Sequence, residues 1–197
     1  MKRILLLITI CLLAFSGFAQ KKASYSEDDL KQFYRTIQGA YKGELNDSTN
    51  LTIHFVPIWE HEKNLFHWFY LEAFNNETKQ IVTQNILEIQ PLSNITFNVV
   101  VHGLKTPEVF AGQWSNHNFF DGYNTGILKG KKKFVFIKTQ DFEYQTGWNK
   151  RKSLKCFPQG DRIHFKFVQE DERLYIKRVP KRSSNIIGYT FFKELTD

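Results

Sequence analysis

Residues 51–74 read LTIHFVPIWEHEKNLFHWFYLEAF, two apolar runs separated by the charged turn Glu60-His61-Glu62-Lys63-Asn64. In the second run Leu65, His67, Phe69, Leu71 and Ala73 fall on one side of an extended chain. Phe66, Trp68, Tyr70, Glu72 and Phe74 fall on the other. The alternation predicts strands over 51–58 and 65–74, with a short strand before them at 40–45. Further extended runs follow at 80–90, 94–101, 134–139, 142–147, 162–169, 173–179 and 188–195. Ahead of them all, Ser26 and the acids that follow it form a helix-start signal. Leu30, Phe33, Tyr34 and Ile37 then recur at helical spacing as far as Gly39.

Residues 103–126 break the rhythm. They carry Pro107, four glycines and the aromatics Phe110, Trp114, Phe119, Phe120 and Tyr123, and predict a partly ordered excursion with a helical turn, packed on the main body. Nine or ten strands with one N-terminal helix argue an antiparallel barrel or a sandwich. Closure removes exposed strand edges, and a barrel of about eight or more strands can hold one small ligand. The expected class is mainly β, a calyx-like (lipocalin-like) antiparallel barrel with a short N-terminal helix.

Composition refines this picture at the chain's start. Lys2 and Arg3 precede the apolar run 4–15, and Gly17-Phe18-Ala19 gives a small-residue cleavage site before Gln20. The run is short of the roughly 20 apolar residues a membrane-spanning helix needs. Residues 1–19 are expected to be a signal peptide and residues 20–197 a single exported domain, periplasmic or secreted, that meets a membrane only through the transient signal. Loss of Lys2 and Arg3, with no acid between them and the cleavage site, lowers the net charge from +7 to +5. Basic residues gather at 129–133, 150–155 and 177–182. No nucleic-acid motif accompanies them, so they read as solvated turns and guarded edges. After cleavage Cys156 is the one cysteine left, so the fold stands on its core without an internal disulfide.

The chain has no G-x-S-x-G, Walker, Rossmann or H-E-x-x-H pattern. Its histidines (54, 61, 67, 102, 117 and 164) fall in different elements, and no metal site is expected. Glu72 is the sharpest candidate. A carboxylate on an aromatic strand face is costly to bury without partners. It is either a bonded or hydrated strand-end acid, or a proton-moving group inside a cavity beside Trp68 and Tyr70. Cys156 follows Arg151-Lys152-Ser153-Leu154-Lys155, where positive charge favours a thiolate, although a lone cysteine is more often a small buried apolar group.

Pro57-Ile58-Trp59, then Trp68-Phe69-Tyr70-Leu71-Glu72, then a polar strand with Gln84, resembles the CpcT/CpeT family of phycobiliprotein chromophore lyases. Leu154-Lys155-Cys156 looks like that family's K-x-C segment, and Gly188-Tyr189-Thr190-Phe191-Phe192-Lys193 like its C-terminal G-x-Y-x-F-x-K. The resemblance implies a lyase that binds an open-chain tetrapyrrole (a bilin) in a barrel cavity and delivers it to a cysteine of an acceptor protein. No cofactor is required. Glu72 becomes the expected catalytic acid, and His54, Trp68, Tyr70, Gln84 and Cys156 the expected ligand-binding residues. Ala73 stands where the family pattern has glutamine, and Thr78-Lys79-Gln80-Ile81 where it begins P-Y-R. The arginine that could pair with a bilin propionate is therefore missing. The alternative expectation is an exported calyx protein that binds a tetrapyrrole or another hydrophobic small molecule without catalysis.

Overall fold

A computed structural model describes residues 27–44, 49–60, 68–92, 96–116, 118–142, 150–158, 163–168, 172–178 and 187–194. Among the described residues an α-helix, α1 (Glu27–Ile37), is followed by ten strands. These are β1 (Gly39–Glu44), β2 (Asn50–Ile58), β3 (Trp68–Asn75), β4 (Ile81–Pro91) and β5 (Thr96–Leu104). After the excursion come β6 (Leu128–Phe142), β7 (Lys150–Pro158), β8 (Ile163–Val168), β9 (Arg173–Arg178) and β10 (Ile187–Lys193). The expected signal peptide, the Ser26 cap and the turn at 61–64 lie outside the described residues.

All ten strands form one antiparallel sheet. Each is paired with its neighbours in sequence, and β1 is hydrogen-bonded to both β2 and β10, so the ladder closes on itself. The register fixes which face of that ring is the core. Phe55 on β2 and Phe167 on β8 have ring centroids 5.4 Å apart. Four strand spacings separate β8 from β2 by way of β9, β10 and β1, about 19 Å along the sheet. The two rings therefore meet across the ring of strands, with Tyr41 of β1 edge-on to both. Phe69, Ala73, Leu87, Ile89, Phe97 and Val99 belong to this inner core.

Helix α1 is the core's other half. Leu30, Phe33 and Ile37 lie on one stripe and are buried in it, with the Phe33 ring 4.4 Å from Phe97. The helix stops where Gly39 takes a φ of +124°, a conformation glycine adopts without strain. The Tyr41 hydroxyl then donates to the Thr36 carbonyl at 2.8 Å, satisfying one of the last helical acceptors.

Two expectations are corrected. Strand β6 takes in the strand expected at 134–139 and begins earlier, in the lysine run 129–133 that read as a solvated turn or guarded edge, while the strand expected at 142–147 lies outside the described residues but for Phe142. The segment 150–155, read likewise as a solvated turn or guarded edge, belongs to strand β7, which is paired on both sides. In both places pairing decides: Lys132 and Lys133 are in register with Val101 and Val100 of β5, and β7 pairs with β6 along its whole length. Lysines are tolerated in β6 because 129 and 131–133 are exposed.

Candidate functional site

The face of β2–β5 turned away from the inner core carries the expected site residues. Register puts His54, Glu72 and Gln84 in one row across β2, β3 and β4. Val56, Tyr70, Ile86 and His102 form the next row. This face is covered by residues 105–127, which fold into four short 3-10 turns: Pro107–Phe110, Gln113–Ser115, Phe119–Gly122 and Thr125–Ile127. Phe110 and Phe120 are buried in a second apolar cluster with Val56, Ile58, Trp59, Trp68, Tyr70 and Ile86.

Glu72 is 1 % exposed, and the covering segment supplies part of its shell. The Tyr70 hydroxyl donates to Glu72 Oε2 at 2.5 Å, and the Gly112 N–H donates to the same oxygen at 2.9 Å. The Gln84 side-chain amide reaches it at 3.3 Å and gives its shorter bond, 2.8 Å, to the Tyr70 oxygen. Tyr70 Oη also lies 2.7 Å from the Phe110 carbonyl, so its single proton is shared between a carboxylate and a carbonyl. Burial, followed by the bond to Glu72, raises the phenol's pKa far above its ordinary value, while Gln84 opposes the rise. The phenol therefore stays neutral, donating its one proton and accepting from Gln84.

A third polar tie is Trp59, a non-glycine residue held at a φ of 56°. Its indole N–H donates to the Phe120 carbonyl at 2.7 Å, and its ring meets Trp68 edge-on at 5.2 Å. Tyr70, Glu72 and Trp59 thus fasten the backbone of the covering segment to β3 and to the end of β2. This cluster is a latch, and every group in it is already bonded within the chain.

His54 closes the far end of the row. Its ring is stacked between Phe74, 5.5 Å away, and Trp114 of the covering segment, 3.9 Å away and nearly parallel. It is 6 % exposed, and its Nε2 has no hydrogen-bond partner. Burial is the main reason its pKa falls from 6.5 to about 4; Glu194 opposes the fall and Lys42 adds to it. The folded protein thus keeps His54 neutral where an unfolded chain would charge it. Stability from this residue is complete above about pH 7, declines as pH falls from 6.5 towards 4, and levels off below that. The total loss should be about 3 kcal/mol. Urea unfolding of the wild type and His54→Phe between pH 7 and 4 checks it, since the variant should lack that part of the slope.

Trp68 packs on Trp59 and lies 5.7 Å from His102, whose Nε2 is paired with Glu88 at 2.9 Å. The structure therefore brings together His54, Trp68, Tyr70, Glu72 and Gln84, but on the face opposite the inner core. Cys156 is not brought to them. It sits on β7, four strands from β3 in the sheet order, and its side chain lies outside the described residues. The inner face holds residues that the sequence did not single out. Leu71, Val101, Ile176, Tyr189 and Tyr34 pack against the inner core and remain only partly buried. Asn85, in register with Leu71, is partly exposed beside them. Their one signal in the sequence is inverse parity: Leu71 lies between Tyr70 and Glu72.

Compared with known proteins, the chain matches no family model, no curated protein and no solved structure.

Proposed function

We propose that the closed ladder is a calyx barrel and that the protein binds a hydrophobic, extended ligand inside it, of the open-chain tetrapyrrole class, without attaching that ligand to anything. The observation that carries this reading is the partial exposure of Leu71, Val101, Ile176 and Tyr189, which sit on the inner side of strands from both halves of the ring. A side chain facing inward is fully enclosed when the interior is filled to the wall, as Phe69, Phe97 and Phe191 are. Ten strands also enclose more room than the eight that side chains alone can fill. Helix α1 takes up part of it, and apolar walls with Asn85 as a polar group suit a ligand that is mostly hydrocarbon.

Transfer of the ligand to an acceptor cysteine would need an acid that faces the ligand. Glu72 faces the other way and already accepts three hydrogen bonds, which supports a binding role over a lyase role. Absorbance titration with biliverdin tests the reading. Saturable binding with a shifted band is expected, and Leu71→Trp should weaken it by about tenfold or more by filling the space. Glu72→Gln should leave the band position unchanged. No binding, or a band that moves with Glu72→Gln and ignores Leu71→Trp, would reject the inner site.

A further inference from the structure

Residues 105–127 lie over the face of β2–β4 as a strap, and most of their described positions are exposed. The Gly112 N–H holds the strap to Glu72, and Tyr70 and Trp59 hold the carbonyls of Phe110 and Phe120. The turn Gln113–Ser115 is attached differently. Its Trp114 ring lies flat on the imidazole of His54, with centroids 3.9 Å and planes 10° apart. The strap thus closes over a titratable ring. His54 is 6 % exposed, and its Nε2 has no hydrogen-bond partner. On the neutral ring the proton can sit on Nδ1 and leave Nε2 an unpaired acceptor. Protonation puts an N–H and a charge at that buried atom with no acceptor to receive them, which is costly.

The charged groups around the ring are few. Glu72 is its register neighbour on β3, but Oε2 of that carboxylate is committed to Tyr70, Gly112 and Gln84. Lys42 on β1 repels an imidazolium and Glu194, just past β10, attracts it, and these two are paired with each other. The turn Gln113–Ser115 carries no titratable side chain, and Lys105, Glu108 and Asp121 elsewhere in the strap are exposed. His117 lies outside the described residues. The ring faces of Phe74 and Trp114 attract a cation, yet burial prevails and lowers the pKa of His54 from 6.5 to about 4. Lifting the strap takes Trp114 off the ring, lets water reach Nε2 and restores the ordinary proton affinity. The open form therefore binds the proton more tightly. The closed form keeps its full advantage above about pH 7 and loses it as pH falls from 6.5 towards 4. We propose that residues 105–127 are an acid-released strap, and that protonation of His54 drives Trp114 off its ring and lifts the segment from β2–β4.

Hydrogen exchange of the whole protein, corrected for the pH dependence of the intrinsic rates, tests this. The bonded amides of the strap, Gly112 and Tyr123 among them, should be less protected at pH 7 than those of β2 and β3. At pH 5 their protection should be about twentyfold lower than at pH 7. His54→Phe keeps a ring beneath Trp114 and should hold strap protection constant over that range. Glu72→Gln should speed exchange at both pH values and keep the twentyfold ratio, and His117→Gln should follow the wild type. An NMR titration reads the ring itself: His54 should titrate at about 4 in the wild type and move towards 6.5 in Trp114→Ala. The proposal is overturned by strap protection that ignores pH in the wild type, or by exchange of strap and strands in step. An acid response that survives His54→Phe, or one that disappears in Glu72→Gln or His117→Gln, overturns it as well.

Discussion

Glu72→Ala is expected to destabilise the protein by about 3–5 kcal/mol. The carboxylate accepts from Tyr70, Gly112 and Gln84, and its removal takes an acceptor from all three, the Tyr70 hydroxyl among them fully buried. Glu72→Gln keeps one acceptor oxygen and the side chain's volume, and should cost about 1–2 kcal/mol. Tyr70→Phe should fall between them, because it frees the Phe110 carbonyl as well as the carboxylate. Urea unfolding gives the stabilities. Limited proteolysis gives a second readout, since loosening this latch should speed cleavage within 105–127 before the strands open. A cost for Glu72→Ala below about 1 kcal/mol, with no change in the cleavage pattern, would mean that the covering segment is held by its aromatic side chains alone.

The same latch shows what could be read from the chain beforehand. Alternation in β3 separated the Trp68, Tyr70 and Glu72 face from the Phe69, Leu71 and Ala73 face correctly. It could not say which face looks inward, because both are aromatic and apolar enough to be buried. That choice is made by residues far along the chain. Phe167, Leu174 and Phe191 press on the Phe69 side, and the segment 105–127 covers the other. Alternation alone leaves both readings of Glu72 open, and the choice between them rests on tertiary contacts. Helix α1 was legible because its apolar stripe and acidic start agree with each other. The strands at 128–133 and 150–158 were not, because charged residues there hide a strand that exists by virtue of its neighbours.

Phe167→Ala should cost about 3–5 kcal/mol, and this substitution tests the architecture most directly. Phe167 is 2 % exposed and touches the rings of Tyr41 and Phe55, which reach it from strands that are distant around the ladder. A cavity at this point removes contacts that join the two halves of the ring, and the surrounding strands are paired too firmly to collapse into it. Phe55→Ala should cost about as much, and the double variant should lose less than the sum, because both single changes remove the same ring contact. Phe192→Ala provides the comparison: it deletes an equal ring from an exposed site and should change stability by no more than about 0.5 kcal/mol. Denaturant midpoints for the wild type and the four variants decide the matter. Additive losses for Phe55 and Phe167 would mean that the two rings do not meet across the interior, and both the inward assignment of Leu71 and the enclosed binding space would go with that contact.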